Sequence, residues 1–167
     1  HTYDLDYARL IYPFLVETAD FWEDYLKFED NRYVIYGDAG GEVGDGGTDV
    51  NAATTLGYVK ALFRGLLDVS KELGRDQGRR AKWQHISDHL SDFPLAQVSG
   101  EKFIRRAESG PGAAHYGPGR KQARIEHCGI VWPTGNIGLG SDPEWLKIVQ
   151  DDVKGWPEHE WINTFNG

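Results

Sequence analysis

The 167-residue sequence predicts an all-α fold of helical hairpins joined by long irregular loops, and three observations carry that expectation. Apolar residues recur every three or four positions over two long segments. The second of these turns back through a very short connection onto a third. A capped helical pattern then returns toward the C-terminus. The stretches between them are glycine-rich or featureless, which favours helix-on-helix packing over an alternating α/β order. No short-period repeat marks a solenoid.

From Tyr7 to Lys27, the side chains Leu10, Ile11, Phe14, Leu15, Phe21, Trp22, Tyr25 and Leu26 fall largely at helical spacing, with Glu17, Glu23 and Asp24 between them. Pro13 either kinks this segment or opens a shorter helix. A second helix is expected to start between Thr48 and Asn51 and to run to Leu73, with Asp49 or Asn51 as its cap and Gly74 as its stop. Its stripe is Leu56, Val59, Leu62, Phe63, Leu66, Leu67, Val69 and Leu73, and Gly57 and Gly65 offer close approach to another helix. A third helix, about Gln77 to Leu90, carries Trp83, Ile86 and Leu90 and completes an antiparallel hairpin.

Between Pro94 and Gly140 the pattern weakens. "SGEKFIRRAESGPGAAHYGPGR" offers turns and no helix, and "ARIEHCGIVWP" reads as a short strand or a buried extended loop. The last helix begins at "SDPEWLKIVQDDV" with Trp145, Leu146, Ile148, Val149 and Val153 as its apolar surface. Its cap is either Ser141 in a reciprocal box with Glu144, or Asp142 with Pro143 at the first helical position. Trp22, Trp83 and Trp145 read as helix-packing residues, while Trp156 and Trp161 either cover a core or belong to a loose end.

Composition narrows the function. The length and the 40% hydrophobic content suit one domain with its own core, spanning 1–167. With 18 basic against 26 acidic side chains the net charge is -8, which argues against nucleic acid or an anionic membrane as partner. No run approaches the roughly 20 apolar residues that span a bilayer. The densest basic stretch, "GRDQGRRAKW", reads as a solvated turn between helices. With His1 first and no Met, the chain reads as a processed protein or a piece of a longer one, so the terminus assigns no compartment. Cys128 stands alone, which excludes an internal disulfide and a four-cysteine zinc site; it reads as a small buried side chain.

The densest chemistry lies in "YVIYGDAGGEVGDGGTDVN", Tyr33 to Asn51, with the four carboxylates Asp38, Glu42, Asp45 and Asp49 among six glycines. So much glycine costs backbone entropy to order, and the segment is either mobile or held by something that offsets that cost. The acids lack the ligand spacing of an EF-hand, and His85 and His89 in "HISDH" do not form the HExxH zinc motif, so no metal is expected. No phosphate-binding or dinucleotide motif is present and no cofactor is implied. Asp151 and Asp152 read as a solvated pair at a helix end.

Three stretches, "YARLIYPFLVETADFWEDYLKFEDNRYVIYGDAGGE", "DVNAATTLGYVKALFRGLLDVSKELGRDQGRRAKWQHI" and "IEHCGIVWPTGNIGLGSDPEWLKIV", resemble the catalytic domain of the six-hairpin (α/α)6-barrel glycoside hydrolases, most closely the family 95 α-L-fucosidase group. The resemblance covers about Tyr7 to Val149. It implies a partial α/α barrel, because the chain supplies about four helices where a closed barrel needs all six hairpins. The remaining hairpins of a larger domain, or another copy of the chain, would then cover its exposed faces. It also implies a carbohydrate substrate, acid/base hydrolysis of a glycosidic bond, and a secreted or periplasmic setting. Glu42 matches the position of the family's acid, although "DAGGEVG" departs from the fucosidase pattern of small residues followed by Pro-Glu-Asn. The family's base lies in a later part of the barrel.

Under the same resemblance Asp38 holds the acid's proton by charge repulsion or binds sugar hydroxyls, and His127 orients a hydroxyl from a loop beside the sugar. Tyr36 and Trp132 present flat faces to the sugar's C–H surface, and Asn136 binds hydroxyls. The competing reading is a noncatalytic helical module that binds carbohydrate or packs against a partner.

Overall fold

Asp4 opens the first helix. Its carboxylate accepts the backbone N–H groups of Asp6 at 2.9 Å and Tyr7 at 3.1 Å, and α1 (Leu5–Tyr25) follows. Pro13 lies inside this helix and does not start it. The computed structural model describes residues 4–39, 47–98, 100–114 and 129–154. Glu42, Asp45, His127, Cys128, Trp156 and Trp161 lie outside the described residues.

After α1 the chain makes a small antiparallel hairpin, β1 (Lys27–Glu29) and β2 (Arg32–Val34), in which Phe28 pairs with Tyr33. Asp30 and Asn31 turn it, both at positive φ, which matches the preference of Asp and Asn for tight hairpin turns. α2 (Ala53–Leu73) ends at Gly74, whose φ of 64° lets its N–H and that of Arg75 return to the Lys71 and Ser70 carbonyls. A 3₁₀ turn (Gln77–Arg79) leads into α3 (Arg80–His89). A second hairpin follows, β3 (Leu95–Val98) with β4 (Glu101–Ile104), then the single turn α4 (Pro111–Ala114) and finally α5 (Pro143–Lys154). The described chain is thus mainly helical, with two two-stranded sheets.

Four expectations are corrected. α2 starts later than expected, after Ala52, and no side chain caps it, because Asp49 and Asn51 bond elsewhere. The stretch after Pro94 contains a hairpin; its strands have four residues each, too few for alternation to stand out in the sequence. Of the two glycines expected to admit another helix only Gly57 does so, since a Cβ on it would lie 3.1 Å from Ile130 in the helical turn 129–131, whereas a Cβ on Gly65 would meet nothing within 4 Å. The basic stretch is a clasp between helices, described below. At the last helix Asp142 is the cap, accepting the Glu144 N–H at 2.7 Å, while the Ser141 hydroxyl accepts from Gly138 at 2.9 Å.

α2 is central to the core. Leu56, Val59, Phe63 and Leu66 are fully buried along it and meet Tyr12 and Ala19 of α1, Trp83 and Ile86 of α3, and Ile130, Ile137 and Ile148 from the C-terminal segments. Each such side chain contributes roughly 1.5–3 kcal/mol of transfer free energy. Trp22 and Trp145 pack against this cluster from partly buried positions, and Trp145 meets Phe93 edge to face at 5.9 Å.

Glu23 ties α1 to α3. Its carboxylate accepts from Trp83 Nε1 at 2.7 Å and from Arg79 and Lys82 at 2.6 Å, and Arg79 also pairs with Asp20. Arg79 lies over the Trp83 ring at 4.9 Å. Arg80 donates to Ser70, and Arg75 lies over the ring of Tyr12, whose hydroxyl donates to Asp76 at 2.7 Å. Most of the basic stretch therefore fastens helices together.

Candidate functional site

Both flanks of the acidic glycine-rich segment are fixed at the N-terminal end of α2. Asp38 and Asp49 form an antiparallel bridge with both backbone bonds made, at 2.9 Å and 2.7 Å. Gly37 and Gly47 pass one another so closely that a Cβ on Gly47 would lie 3.3 Å from the Gly37 carbonyl, and both have positive φ. Arg106, almost fully buried, donates from Nη2 to the Ala39 carbonyl at 2.8 Å. The segment that carries Glu42 therefore departs and returns at one clamped point.

Beneath this closure lies a network of side chains distant in sequence. The Asn51 amide oxygen accepts the Ile35 N–H at 2.8 Å, its nitrogen donates to Glu108 at 2.6 Å, and its own N–H returns to the Ile35 carbonyl at 2.9 Å. Asn51 is wholly buried with φ of 49°, a left-handed conformation that Asn tolerates better than most residues. Glu108 also accepts a two-pronged bond from Arg32 at 2.7 and 2.8 Å. The Arg32 bonds, with help from Asn51, hold the Glu108 carboxyl below its ordinary value against the opposing effect of burial. Asp49 is buried and accepts the Gly112 N–H at 2.7 Å; a Cβ on Gly112 would collide with that carboxylate, so only glycine fits.

A second wall crosses the first turns of α2. Residues 129–131 make a helical turn, Gly129 approaches Thr54, and Asn136 donates from Nδ2 to the Gly57 carbonyl at 2.8 Å and to Thr134 Oγ1 at 2.7 Å. Arg64 holds the Thr134 carbonyl at 2.7 Å. Trp132, beside a cis bond to Pro133, is 71% exposed.

The sequence-derived residues divide accordingly. Tyr36 and Asp38 lie on the strand exit that leads into the acidic segment, and Trp132 and Asn136 lie on the 129–137 wall. The first group is anchored at Asp49 and Asn51, just before α2, and the second at the first turns of α2. Tyr36 is 44% exposed, its carbonyl accepts the Tyr25 hydroxyl at 2.6 Å, and its own hydroxyl donates to Glu29. That bond to Glu29 raises the Tyr36 phenol above its ordinary value, so it remains a neutral donor. Both Asn136 amide hydrogens are committed to the fold. Asp38 Oδ2 is shielded from solvent. His85 and His89 stack at 4.2 Å on α3, and His85 Nδ1 lies 3.1 Å from the Tyr33 hydroxyl. Asp151 pairs with Lys147 one turn earlier in α5. Among the described residues no three His, Cys, Asp or Glu side chains gather as metal ligands, and no helix is long and apolar enough to cross a membrane.

Sequence reasoning passed over Arg32, Arg106 and Glu108, although "SGPG" signalled the tight turn that carries Asp49's partner. No family model matches the chain, and no curated protein matches it.

Proposed function

We propose that this chain is part of the catalytic domain of a glycoside hydrolase, in which Glu42 is the general acid. The observation that carries this reading is the clamped closure of the acidic segment just before α2, with a second, aromatic-bearing wall across the first turns of that helix. Glu42 protonates the leaving glycosidic oxygen. A base from a later part of the larger domain activates water, with the two carboxyls about 6.5–9.5 Å apart if the enzyme inverts configuration. Tyr36 and Trp132 offer flat faces to the sugar. Asp38, His127 and the amide oxygen of Asn136 bind its hydroxyls.

The test is hydrolysis of a glycan panel by the intact parent protein and its Glu42→Gln variant. Turnover should fall by about 100- to 10,000-fold in the variant, and full turnover in a correctly folded variant removes Glu42 from the acid role. The isolated 167-residue chain, lacking an assigned base, should show no substantial turnover. The second reading is a noncatalytic module that packs against other helices, favoured by the apolar face that α1 turns to solvent.

A further inference from the structure

α1 carries two apolar faces. Tyr12, Leu15, Val16, Ala19, Trp22 and Leu26 meet the core, as the single-stripe pattern of a surface helix requires. Tyr7, Leu10, Phe14, Phe21 and Tyr25 form another stripe with intervals of three, four and seven residues, the spacing of a helix–helix seam. With 3.6 residues per turn they fall within an arc of about 60° on the side roughly opposite the core. Leu10 is 76% exposed, Phe14 71% and Phe21 54%, and Phe21 stacks on Tyr25 at 5.3 Å. Isolated exposed apolar residues are ordinary; five aligned along about five turns mark an interaction surface.

The two borders of the stripe differ. One is acidic, with Asp6, Glu17, Asp20 and Asp24; the other, through Ile11, Thr18 and Trp22, is uncharged. Arg9 neutralises Asp6 and Arg79 pairs with Asp20, whereas Glu17 and Asp24 make no ion pair with a described residue. A second copy of α1 fits poorly. An antiparallel two-fold pair sets acidic border against acidic border, and a parallel pair sets each acidic border against the uncharged one, desolvating carboxylates without compensation.

We infer that the outer face of α1 docks an amphipathic helix of a partner protein, one with a matching apolar stripe and Lys or Arg along the border that meets Glu17 and Asp24. The inference rests on the exposure and charge of this face, not on the hydrolytic chemistry.

Two synthetic helical peptides of roughly 20 residues serve as probes, long enough to hold helix and identical in their leucine face, one bordered by Lys and the other by Glu. Fluorescence anisotropy follows their binding to the 167-residue chain. The Lys-bordered peptide should bind about three- to tenfold more tightly at low salt, and the preference should shrink as salt is added. The E17K/D24K chain should reverse the preference. The L10S/F14S chain, altered only at solvent-exposed side chains, should lose both peptides while keeping its circular dichroism. Equal affinity for the two peptides, or no binding of either, overturns the inference. So does self-association of the chain in sedimentation that L10S/F14S abolishes, which would make a second copy the occupant. Neither readout involves turnover, so failure here leaves the proposed chemistry standing, and a failed hydrolysis assay leaves this surface standing.

Discussion

The helical frame and the clamp at the start of α2 are held by different physics. In the frame, α1, α2 and α3 bury side chains at helical spacing in one shared apolar core, and Arg79 and Lys82 add ion pairs from the start of α3 to Glu23 of α1. In the clamp, Asn51 reaches Ile35 sixteen residues back and Glu108 fifty-seven residues on, and Arg32 reaches Glu108 across seventy-six. A frame built from many interchangeable apolar contacts tolerates the loss of a small one. A clamp built from few directional bonds is weakened as soon as one partner is removed, because buried groups such as the Ile35 N–H are left unpaired.

The sharpest way to break the frame is Trp83→Ala, which empties the largest fully buried site and removes a donor to Glu23. It should cost about 3–5 kcal/mol, seen as a large fall in melting temperature with all helices lost together. Asn51→Ala should cost less, about 2–3 kcal/mol, since it strands the Ile35 N–H and one Glu108 bond. Its signature is local: amide exchange at Ile35 should accelerate more than exchange in the middle of α2. Equal acceleration at both sites would erase the distinction between the regions.

This difference also explains what the sequence discloses. The stripe of α2 from Leu56 to Leu73 and the stop at Gly74 follow from local periodicity and backbone preference, so both are legible. The roles of Asp49 and Asn51 are not. Either suits a helix cap by type and position, and only the arrival of Gly112 and Glu108 from far along the chain gives them other bonds. The two short hairpins escape for a related reason, since strands of three or four residues present one or two alternations. Of the candidate site, the acidic segment and Trp132 stand out by composition, whereas the clamp around them is assembled by tertiary contacts alone.

Acid titration probes both regions at once. For Glu23 burial acts to raise the carboxyl, but bonds from Lys82, Arg79 and Trp83 prevail and hold it below its ordinary value. Glu108 is lowered as well, chiefly by Arg32. A carboxyl with a depressed folded-state value contributes stability that is present above its unfolded value, about 4.3 for Glu, and is lost as pH falls through the folded one. Stability should therefore decline as pH drops below about 5. The Glu23 side chain is 10% exposed and that of Glu108 38%, so solvent screens the second pair more. Glu23→Gln should flatten the acid limb of a stability–pH curve more than Glu108→Gln. The smallest expected effect is a gain: Gly65→Ala, in the interior of α2 with open space around it, should stabilise by about 0.5–1 kcal/mol in denaturant titration.

The most direct test of the proposed chemistry compares leaving groups. An aryl leaving group that departs without protonation has no need of the general acid, whereas a sugar leaving group requires it. In the intact parent, Glu42→Gln should lower kcat/KM for natural glycosides by about 100- to 10,000-fold while leaving activated aryl glycosides much less affected. An equal loss on both substrates, or no loss on either, would contradict the proposed assignment of Glu42 as the general acid.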